Sequence, residues 1–398
     1  MNDLLIMNVQ ILGLTDDQKQ HSVLIQDGRI VLFDPTPGQF DSGMTQVDGG
    51  GRLLTAGLID LHIHGIEKWL FESGPNALVQ GVNALAKYGV TTVLPTLYRV
   101  MSEDQFEVLS TLSDALDNSL DVNVPGFHLE GPFLKLAGAG AQTHDGDVAY
   151  LDRLIEAAQG KISAMSISPD TPGVLPVIRH LVKQGFVVFM THTQADVDQT
   201  LAAIDAGARH ATHFYDVFPA PEITEAGVRP VGCVETILAD RNVSVDFIAD
   251  GVHAHPMAIK MALAAKGNDG VILITDANIG AGLGEGVYDT PWGFAVRVHE
   301  GDAARIELPG ESRHGSLAGS ALTMPQGIAN LRRWLDVPED QVWAMGSRNP
   351  ARRMGWENKG VLALGADADL VIWDDDEQGL RPNKTVVGGR LIYEAGQL

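Results

Sequence analysis

The sequence predicts an α/β fold, a (β/α)8 barrel of the TIM type with a small β-sandwich domain formed by both termini. The chain has 398 residues, which is more than a single domain usually contains, so a large barrel with a smaller attached module is expected. Apolar strand-like runs alternate with helix-like stretches in the middle of the chain, a pattern typical of βαβ units. Strand-like runs also stand at each end, and neither end has enough strands to bury a sheet face alone.

The two ends of the chain share one sequence pattern, in which short apolar runs are separated by turn residues. From Leu4 to about Leu53, short apolar runs are separated by turn residues, and Asp27-Gly28 stands between two strand-like segments. The tail repeats this style in GVLALGADADLVIWD and TVVGGRLIYEAG. We therefore predict that residues 1–55 and 356–398 form the two parts of the β-sandwich domain, and that residues 56–355 form the barrel.

Eight apolar runs in the central region are candidate barrel strands, and eight units suggest a closed barrel. They are LIDLHIHG (58–65), VTTVLPTL (90–97), VPGFHLEGPF (124–133), ISAMSISPD (162–170), FVVFMTHT (186–193), ARHATHFYD (208–216), VSVDFIADGVH (243–253) and VILITDANIG (271–280). The stretch from Gly282 to about Gly315 is too long for an ordinary loop, so it predicts a hairpin inserted after the eighth strand.

Composition limits the classes of partner. Basic residues number 28 and acidic residues 51, so the net charge is −23 and the surface field repels nucleic acid and anionic membranes. We expect neither as a partner. A small anionic substrate can still be held by a few local cations, so the net charge alone does not exclude a phosphate.

Cys233 is the single cysteine, which forbids an intrachain disulfide and excludes cysteine-rich metal sites. The chain starts with MNDLLIMNVQ, which has an acidic residue where a signal peptide has basic ones, and no apolar run approaches about 18 residues. We expect a soluble cytoplasmic protein. A homodimer is expected from the frequency of dimers among soluble proteins.

Candidate metal ligands stand at the carboxyl ends of the predicted strands, where a barrel of this kind places its active site. Asp60, His62 and His64 occupy alternate positions of the first strand, so they share one face and can point into the barrel. Neutral imidazoles at this place are natural ligands for zinc or iron.

Three further candidates end other strands. Glu130 is followed by Gly131-Pro132, which opens a loop beside the carboxylate. His192 and His213 end the fifth and sixth runs. Separate structural roles for histidines and a carboxylate at four strand ends are improbable together, so the pattern predicts a metal centre with one or two divalent ions. Zinc is the expected ion and iron the alternative.

Asp276 ends the eighth run, which a closed barrel places beside His62 and His64. It could serve as a ligand, as a general base, or as both. Hydrolysis assisted by a metal needs an ion that lowers the pKa of water and a carboxylate that carries its proton, and this set supplies both parts.

The motifs LTAGLIDLHIHG, HLEGPF, ATHF, DGVH, ITDA, LAGSALTM and GADADLVIWD together resemble the N-acetylglucosamine-6-phosphate deacetylase family of the amidohydrolase superfamily. The resemblance spans nearly the whole chain. It implies a barrel with a small β-sandwich, a centre of one or two metals, and removal of an acetyl group from an amino sugar phosphate.

The resemblance also implies residue roles. Glu130, His192 and His213 would be the principal metal ligands, with His62 and His64 adding a second site. Asp276 would be the acid/base, His253 would touch the sugar, and Arg229 would bind the phosphate.

The predicted substrate pocket departs from the family pattern. Gln142 stands where the family usually has a histidine that polarises the acetyl carbonyl, and His144 follows two residues later. Asp216 stands where the family has an asparagine near the phosphate, and a carboxylate beside a phosphate is unfavourable. We therefore expect weak activity on a phosphorylated N-acetyl sugar.

The sequence thus predicts an enzyme, a metal-dependent amidohydrolase that cleaves the amide of an N-acetyl amino sugar or a related small N-acyl compound. One alternative is another reaction of the superfamily, cyclic amide hydrolysis or deamination, on a substrate without phosphate. A second alternative is a binding protein without catalysis. A screen of N-acyl amino sugars separates the three.

Overall fold

The computed structural model describes residues 3–14, 20–138 and 143–397. Within these residues the strands are β1 (Leu4–Ile11), β2 (His21–Gln26), β3 (Arg29–Phe33), β4 (Thr45–Ala56), β5 (Leu58–Ile63), β6 (Gly65–Ile66), β7 (Trp69–Leu70), β8 (Val90–Leu97), β9 (Phe127–Glu130), β10 (Ile162–Ile167), β11 (Val187–Met190), β12 (His210–Ala211), β13 (Ser244–Ile248), β14 (Val271–Ile274), β15 (Gly286–Asp289), β16 (Ala295–Val298), β17 (Arg305–Glu307), β18 (Leu370–Asp376), β19 (Gly379–Val387) and β20 (Arg390–Glu394). The α-helices are α1 (Pro75–Ala84), α2 (Phe106–Ala115), α3 (Val148–Ala157), α4 (Val174–Lys183), α5 (Val197–Ala206), α6 (Cys233–Ala239), α7 (Pro256–Lys266), α8 (Met324–Trp334), α9 (Glu339–Met345) and α10 (Arg348–Arg353).

The central region forms the predicted barrel. Strand β5 and strands β8 to β14 make an eight-stranded parallel sheet in which each strand pairs with the next in chain order. The two ends of this sheet meet after β5 and β14, where Asp276 N donates to His62 O at 2.9 Å and His64 N donates to Ala277 O at 2.9 Å. The (β/α)8 class is therefore confirmed.

The barrel strands are buried on both faces. Their sequences are therefore nearly continuous apolar runs and do not alternate between apolar and polar residues. Every residue of β8 is buried, for example. Helices α1 to α7 pack beside one another in chain order around the barrel. Among the described residues, no helix is both long enough and apolar enough to cross a bilayer.

The two termini combine in a second sheet. It has seven strands in the order β20-β19-β18-β4-β1-β2-β3, so β4 pairs with β1 from its own end of the chain and with β18 from the other. Ile6, Val23 and Ile372 belong to its own apolar core. A sheet domain built from both termini is thus confirmed, while the boundaries at residues 55 and 356 stay predictions.

The insertion predicted between Gly282 and Gly315 is also present. Strands β15, β16 and β17 form an antiparallel sheet directly after the eighth barrel strand. Val296, Ile306 and Ala318 belong to a small apolar cluster of its own. The insertion therefore stands at the mouth of the barrel, beside the carboxyl ends of the strands.

Candidate metal centre

The predicted ligands lie at the carboxyl ends of the barrel strands, and three of them have unusual backbone conformations. His192, His213 and Asp276 have φ values of 49°, 35° and 48°. Such left-handed conformations are uncommon for residues other than glycine, and they concentrate at functional sites because the surrounding structure must enforce them. Past His192 the chain soon enters α5, whose start is fixed by the Asp196 carboxylate accepting from Gln199 N.

Glu130 lies at the centre of the cluster. Its Oε1 is 3.1 Å from His192 Nε2 and 3.0 Å from His213 Nε2. Its Oε2 is 3.4 Å from His64 Nε2 and 3.8 Å from His62 Nε2. Each oxygen of this buried carboxylate therefore faces a different pair of imidazoles.

Asp276 completes the second half of the cluster. Its Oδ1 lies 3.4 Å from His62 Nε2 and 3.2 Å from His64 Nε2, and these two nitrogens are 3.3 Å apart. The structure thus brings together all six residues that the sequence nominated as metal ligands.

The cluster fits a divalent metal in its choice of donor atoms. One set of donors within 4.8 Å of one another comes from His62, Glu130 and His213, and another comes from His62, His64 and Asp276. Imidazole nitrogens and carboxylate oxygens in this mixture suit zinc and iron. His192 Nδ1 is buried and has no hydrogen-bond partner among the described residues, so the cluster does not satisfy its own polar groups completely. The residues therefore have the donors and the space to hold one or two ions.

The charges of the cluster are strongly coupled. Burial opposes protonation of His64, but the carboxylates of Asp276 and Glu130 outweigh it and raise its pKa to about 9. Burial likewise opposes protonation of His213, and Glu130 raises its pKa to about 10. For Glu130 and Asp276, burial opposes ionisation, yet the surrounding histidines hold both pKa values well below the usual range. Binding of a divalent cation at this cluster would release protons, because imidazole ligates only when neutral.

A buried hydrogen-bond network supports the cluster from below. Asp246 on β13 accepts from Thr212 Oγ1 at 3.0 Å and lies 2.7 Å from His210 Nε2. It also accepts from the backbone N–H of His213. Sequence reasoning missed Asp246, although its place inside the apolar run VSVDF, where an unpaired charge is costly, is a signal that could have found it.

A cavity of about 150 Å³ opens onto the cluster. Its walls are His64, Tyr98, Glu130, Gly138, His192, His213, Asp216, Val217, His253, Asp276, Asn278, Leu317 and Gly319. Asp216 Oδ2 lies 4.0 Å from His213 Nδ1, and His253 Nδ1 lies 2.6 Å from Asp250 Oδ2. Two of the predicted substrate residues, Asp216 and His253, therefore share the cavity with the metal cluster.

Two other predicted substrate residues, Arg229 and His144, do not line the cavity. The Arg229 side chain is 83% exposed and donates to Glu235 Oε1 at 2.8 Å, outside the walls of the cavity. His144 stacks on Tyr150 with 4.4 Å between ring centroids. Gln142 lies outside the described residues. The substrate roles of these three residues stay predictions.

Several wall residues were not foreseen from the sequence. Gly138 packs so closely on His192 that a Cβ atom would lie 1.9 Å from the imidazole Cε1. Tyr98 packs edge-on against His64 with 4.9 Å between ring centroids. Tyr98 directly follows a predicted barrel strand, so its position at a strand end was an available signal. Gly138 gave none, because its role depends on a loop returning over the barrel.

The chain is similar to known amidohydrolases in both sequence and structure. Residues 53–392 match the amidohydrolase family. The N-acetylglucosamine-6-phosphate deacetylase of Lysinibacillus sphaericus is 29% identical over 98% of this chain and 97% of its own length. The enzyme of the same name from Bacillus subtilis is 32% identical over 94% of this chain and 93% of its own length. A mutant N-acetyl-D-glucosamine-6-phosphate deacetylase from Mycobacterium smegmatis, solved in complex with N-acetyl-D-glucosamine-6-phosphate, superposes with a TM-score of 0.81, at 28% identity, over 98% of this chain and 99% of that one.

Proposed function

Since this chain belongs to the amidohydrolase family, we propose that it hydrolyses the amide bond of an N-acetyl amino sugar, releasing acetate and the free amine. It is an enzyme of the class that hydrolyses amide carbon–nitrogen bonds. The relatives support the sugar assignment because they match over almost the full length of both chains. The observation that carries the proposal is the position of Glu130, whose two oxygens face separate imidazole pairs beside Asp276.

Within this proposal, Glu130, His192 and His213 would hold one ion, and His62, His64 and Asp276 would hold a second. We propose zinc as the ion. A divalent ion at such a centre lowers the pKa of a bound water and polarises the substrate carbonyl. The remaining tasks fall to the protein: holding the sugar, excluding bulk water, and moving the proton.

Asp276 is our candidate for the proton transfer. Its pKa is held low by His62 and His64 in spite of burial, so the carboxylate is ionised and can accept a proton from the attacking water. Passing that proton to the nitrogen of the breaking amide lets the amine leave. The Asp276 carboxylate lines the cavity just beyond the end of β14, where the substrate amide would bind.

We propose that this chain differs from its relatives in its preference for a sugar without phosphate. Among the described walls of the cavity there is no lysine or arginine, and Asp216 adds a negative charge. We therefore propose that the free N-acetyl sugar is preferred to its 6-phosphate. Arg229 supports this reading because its guanidinium is paired with Glu235.

Acetate release by metal-loaded protein tests the proposal. The substrates are N-acetylglucosamine, N-acetylgalactosamine and their 6-phosphates, with apoprotein as the blank. Acetate released from any of these by metal-loaded protein, and not by apoprotein, is the expected result. If none of the four yields acetate while the protein retains bound metal, another amide or a binding role must replace the sugar.

We also propose a cytoplasmic location and a homodimer. The single cysteine supports a reducing compartment. The homodimer rests on the frequency of such assemblies among soluble oligomers.

A further inference from the structure

A second chamber adjoins the cavity of the metal centre. It has a volume of about 250 Å³ and lies between the insertion and the barrel mouth. It shares Tyr98, Asn278 and Leu317 with the first cavity, so the two spaces meet at these residues. Its own walls are mainly apolar and include Trp292 and Phe294.

The junction between the two spaces carries hydrogen-bond donors. The Tyr98 hydroxyl lines both spaces and has no hydrogen bond to another described residue, so it can donate to a substrate group. Asn278 uses Oδ1 to accept from Ile279 N at 2.8 Å, which leaves its amide Nδ2 available. A polar substrate group can therefore be bound at the junction, with an apolar group passing beyond it.

The walls of the chamber are fixed by the fold. Thr290 Oγ1 donates to Phe294 O at 2.5 Å and accepts from Trp292 N at 3.3 Å, which sets the turn that carries both aromatic rings. Another wall residue, Leu317, is bridged to Arg305 of β17. A preformed apolar space next to convergent polar groups is typical of a small-molecule site.

We propose that this chamber receives the acyl part of the substrate and that the enzyme prefers N-acyl groups longer than acetyl. The inference rests on the proposed function and specifies its substrate class: an amino sugar carrying an apolar acyl group of about four to eight carbons. At roughly 30 Å³ for a group the size of water, an acetyl methyl would occupy a small part of the space. Hydrolysis adds water across the amide C–N bond and gives the carboxylate and the protonated amino sugar.

The sugar ring fits the other side of the junction. Asp216 and His253 line the first cavity and not the chamber, and they offer polar partners for hydroxyl groups. The chamber walls Phe294, Ile306 and Ala318 offer a hydroxyl-rich ring no such partners. With the sugar in the first cavity and the acyl group in the chamber, the amide bond would lie at the junction, next to the metal cluster.

The test is a series of N-acetyl, N-butanoyl and N-hexanoyl glucosamines assayed for free amine. Burial of one methylene is worth roughly a fourfold gain in kcat/KM, so N-butanoyl, which has two more methylenes, should exceed N-acetyl by about 15-fold. Free butanoate and hexanoate should inhibit more strongly than acetate in the same order.

Two variants reduce the volume of the chamber. Ala318→Phe fills the chamber from a buried wall residue, and Ser316→Trp fills it from an exposed wall residue, so the second variant serves if the first fails to fold. Both should lose the preference for longer chains, so that the ratio of kcat/KM for N-hexanoyl to that for N-acetyl falls to one or below. Val287→Phe is the matched control, since Val287 is 48% exposed on the same insertion and lies outside the chamber walls.

The outcomes separate the two proposals. Hydrolysis of the N-acetyl sugar with no gain for longer chains, or a gain that survives in both filled variants, overturns the chamber inference and leaves the proposed function standing. No turnover of the series, of N-acetylgalactosamine or of the two 6-phosphates overturns the proposed function, whereas turnover of the latter three substrates alone overturns the chamber inference. An Arg313→Ala variant that loses activity only on 6-phosphates would assign the chamber to the phosphate and overturn the inference, because Arg313 is its one basic wall residue among those described.

Discussion

The hydroxyl of Thr212 lies 3.2 Å from Nδ1 of His62. Because this hydroxyl donates to Asp246 Oδ2 at 3.0 Å, it accepts from His62, and the His62 proton is held on Nδ1. Nε2 of His62 is thereby left free to face Glu130 and Asp276 as a ligand. Thr212 is therefore a positioning residue. It sets the tautomer of His62 and is not itself among the walls of the substrate cavity.

Thr212→Val should weaken metal binding at the His62 side of the centre by about 10- to 100-fold, the usual effect of removing a hydrogen bond behind a ligand. The second equivalent of metal should be affected more than the first, as measured by competition with a chelator. Thr111→Val, on the exposed face of α2, is the control. Equal affinities in Thr212→Val and the wild type would show that the network does not orient His62.

Glu130→Ala should remove most of the bound metal, because its carboxylate faces both imidazole pairs. Elemental analysis of extensively dialysed protein should give one or two ions per chain for the wild type and far less for the variant. Glu156→Ala, an exposed carboxylate of α3, should leave the content unchanged. Unchanged metal in Glu130→Ala, and also in His192→Ala and His213→Ala, would refute the centre.

Asp276→Asn should keep the fold and part of the metal but lose turnover by about 100-fold or more, since an amide cannot exchange a proton with water or the leaving amine. The comparison is kcat at saturating substrate, with metal content measured on the same sample. A kcat near that of the wild type would move the proton transfer to another group, with His253 the next residue in the cavity.

Asp216→Asn should improve kcat/KM for N-acetylglucosamine-6-phosphate and change the value for the free sugar little. A like-charge contact at about 4 Å costs on the order of 1 to 4 kcal/mol, which corresponds to roughly fivefold to nearly a thousandfold in binding. The wild type should favour the free sugar. If the wild type favours the phosphate, and the variant does not strengthen that preference, Asp216 does not face the phosphate.

Gly138→Ala should disturb the metal centre without unfolding the barrel, because the new methyl group would meet His192 Cε1 at 1.9 Å and must displace either the ring or the loop. We expect lower metal affinity and lower activity with nearly unchanged thermal stability. Gly43→Ala is the control, because its Cβ would meet only Asp41 Oδ1, at 3.5 Å. Normal metal affinity in Gly138→Ala would mean that the new methyl group displaces the loop and leaves the His192 ring in place.

The metal cluster was predictable because strand order fixes where side chains meet. Residues at the carboxyl ends of parallel barrel strands converge on one rim, so His62 and Asp276 could be paired across the closure of the barrel from the sequence alone. The repeated apolar runs fixed the number of strands for the same reason, since a strand buried on both faces needs such a run.

The substrate walls were less predictable because they belong to loops. Arg229 was nominated from its motif, but the loop that carries it directs the guanidinium to Glu235. Tyr98 and Asn278 escaped notice, although both follow barrel strands, because neither residue type suggests a metal ligand. Trp292 and Phe294 come from an insertion whose return over the barrel is a matter of tertiary packing and not of periodicity.

The sheet domain can complete its folding only after the C-terminal strands have been synthesised. Strand β4 needs β18 on one edge, and Thr55 Oγ1 accepts from Trp373 Nε1 across 318 residues of chain. During synthesis, one edge of β4 therefore remains unpaired until β18 has been made, which is after the whole barrel has been synthesised. An unpaired edge is a site for aggregation, so a chain released before residue 370 would carry a complete rim of metal ligands on a molecule prone to associate with its copies.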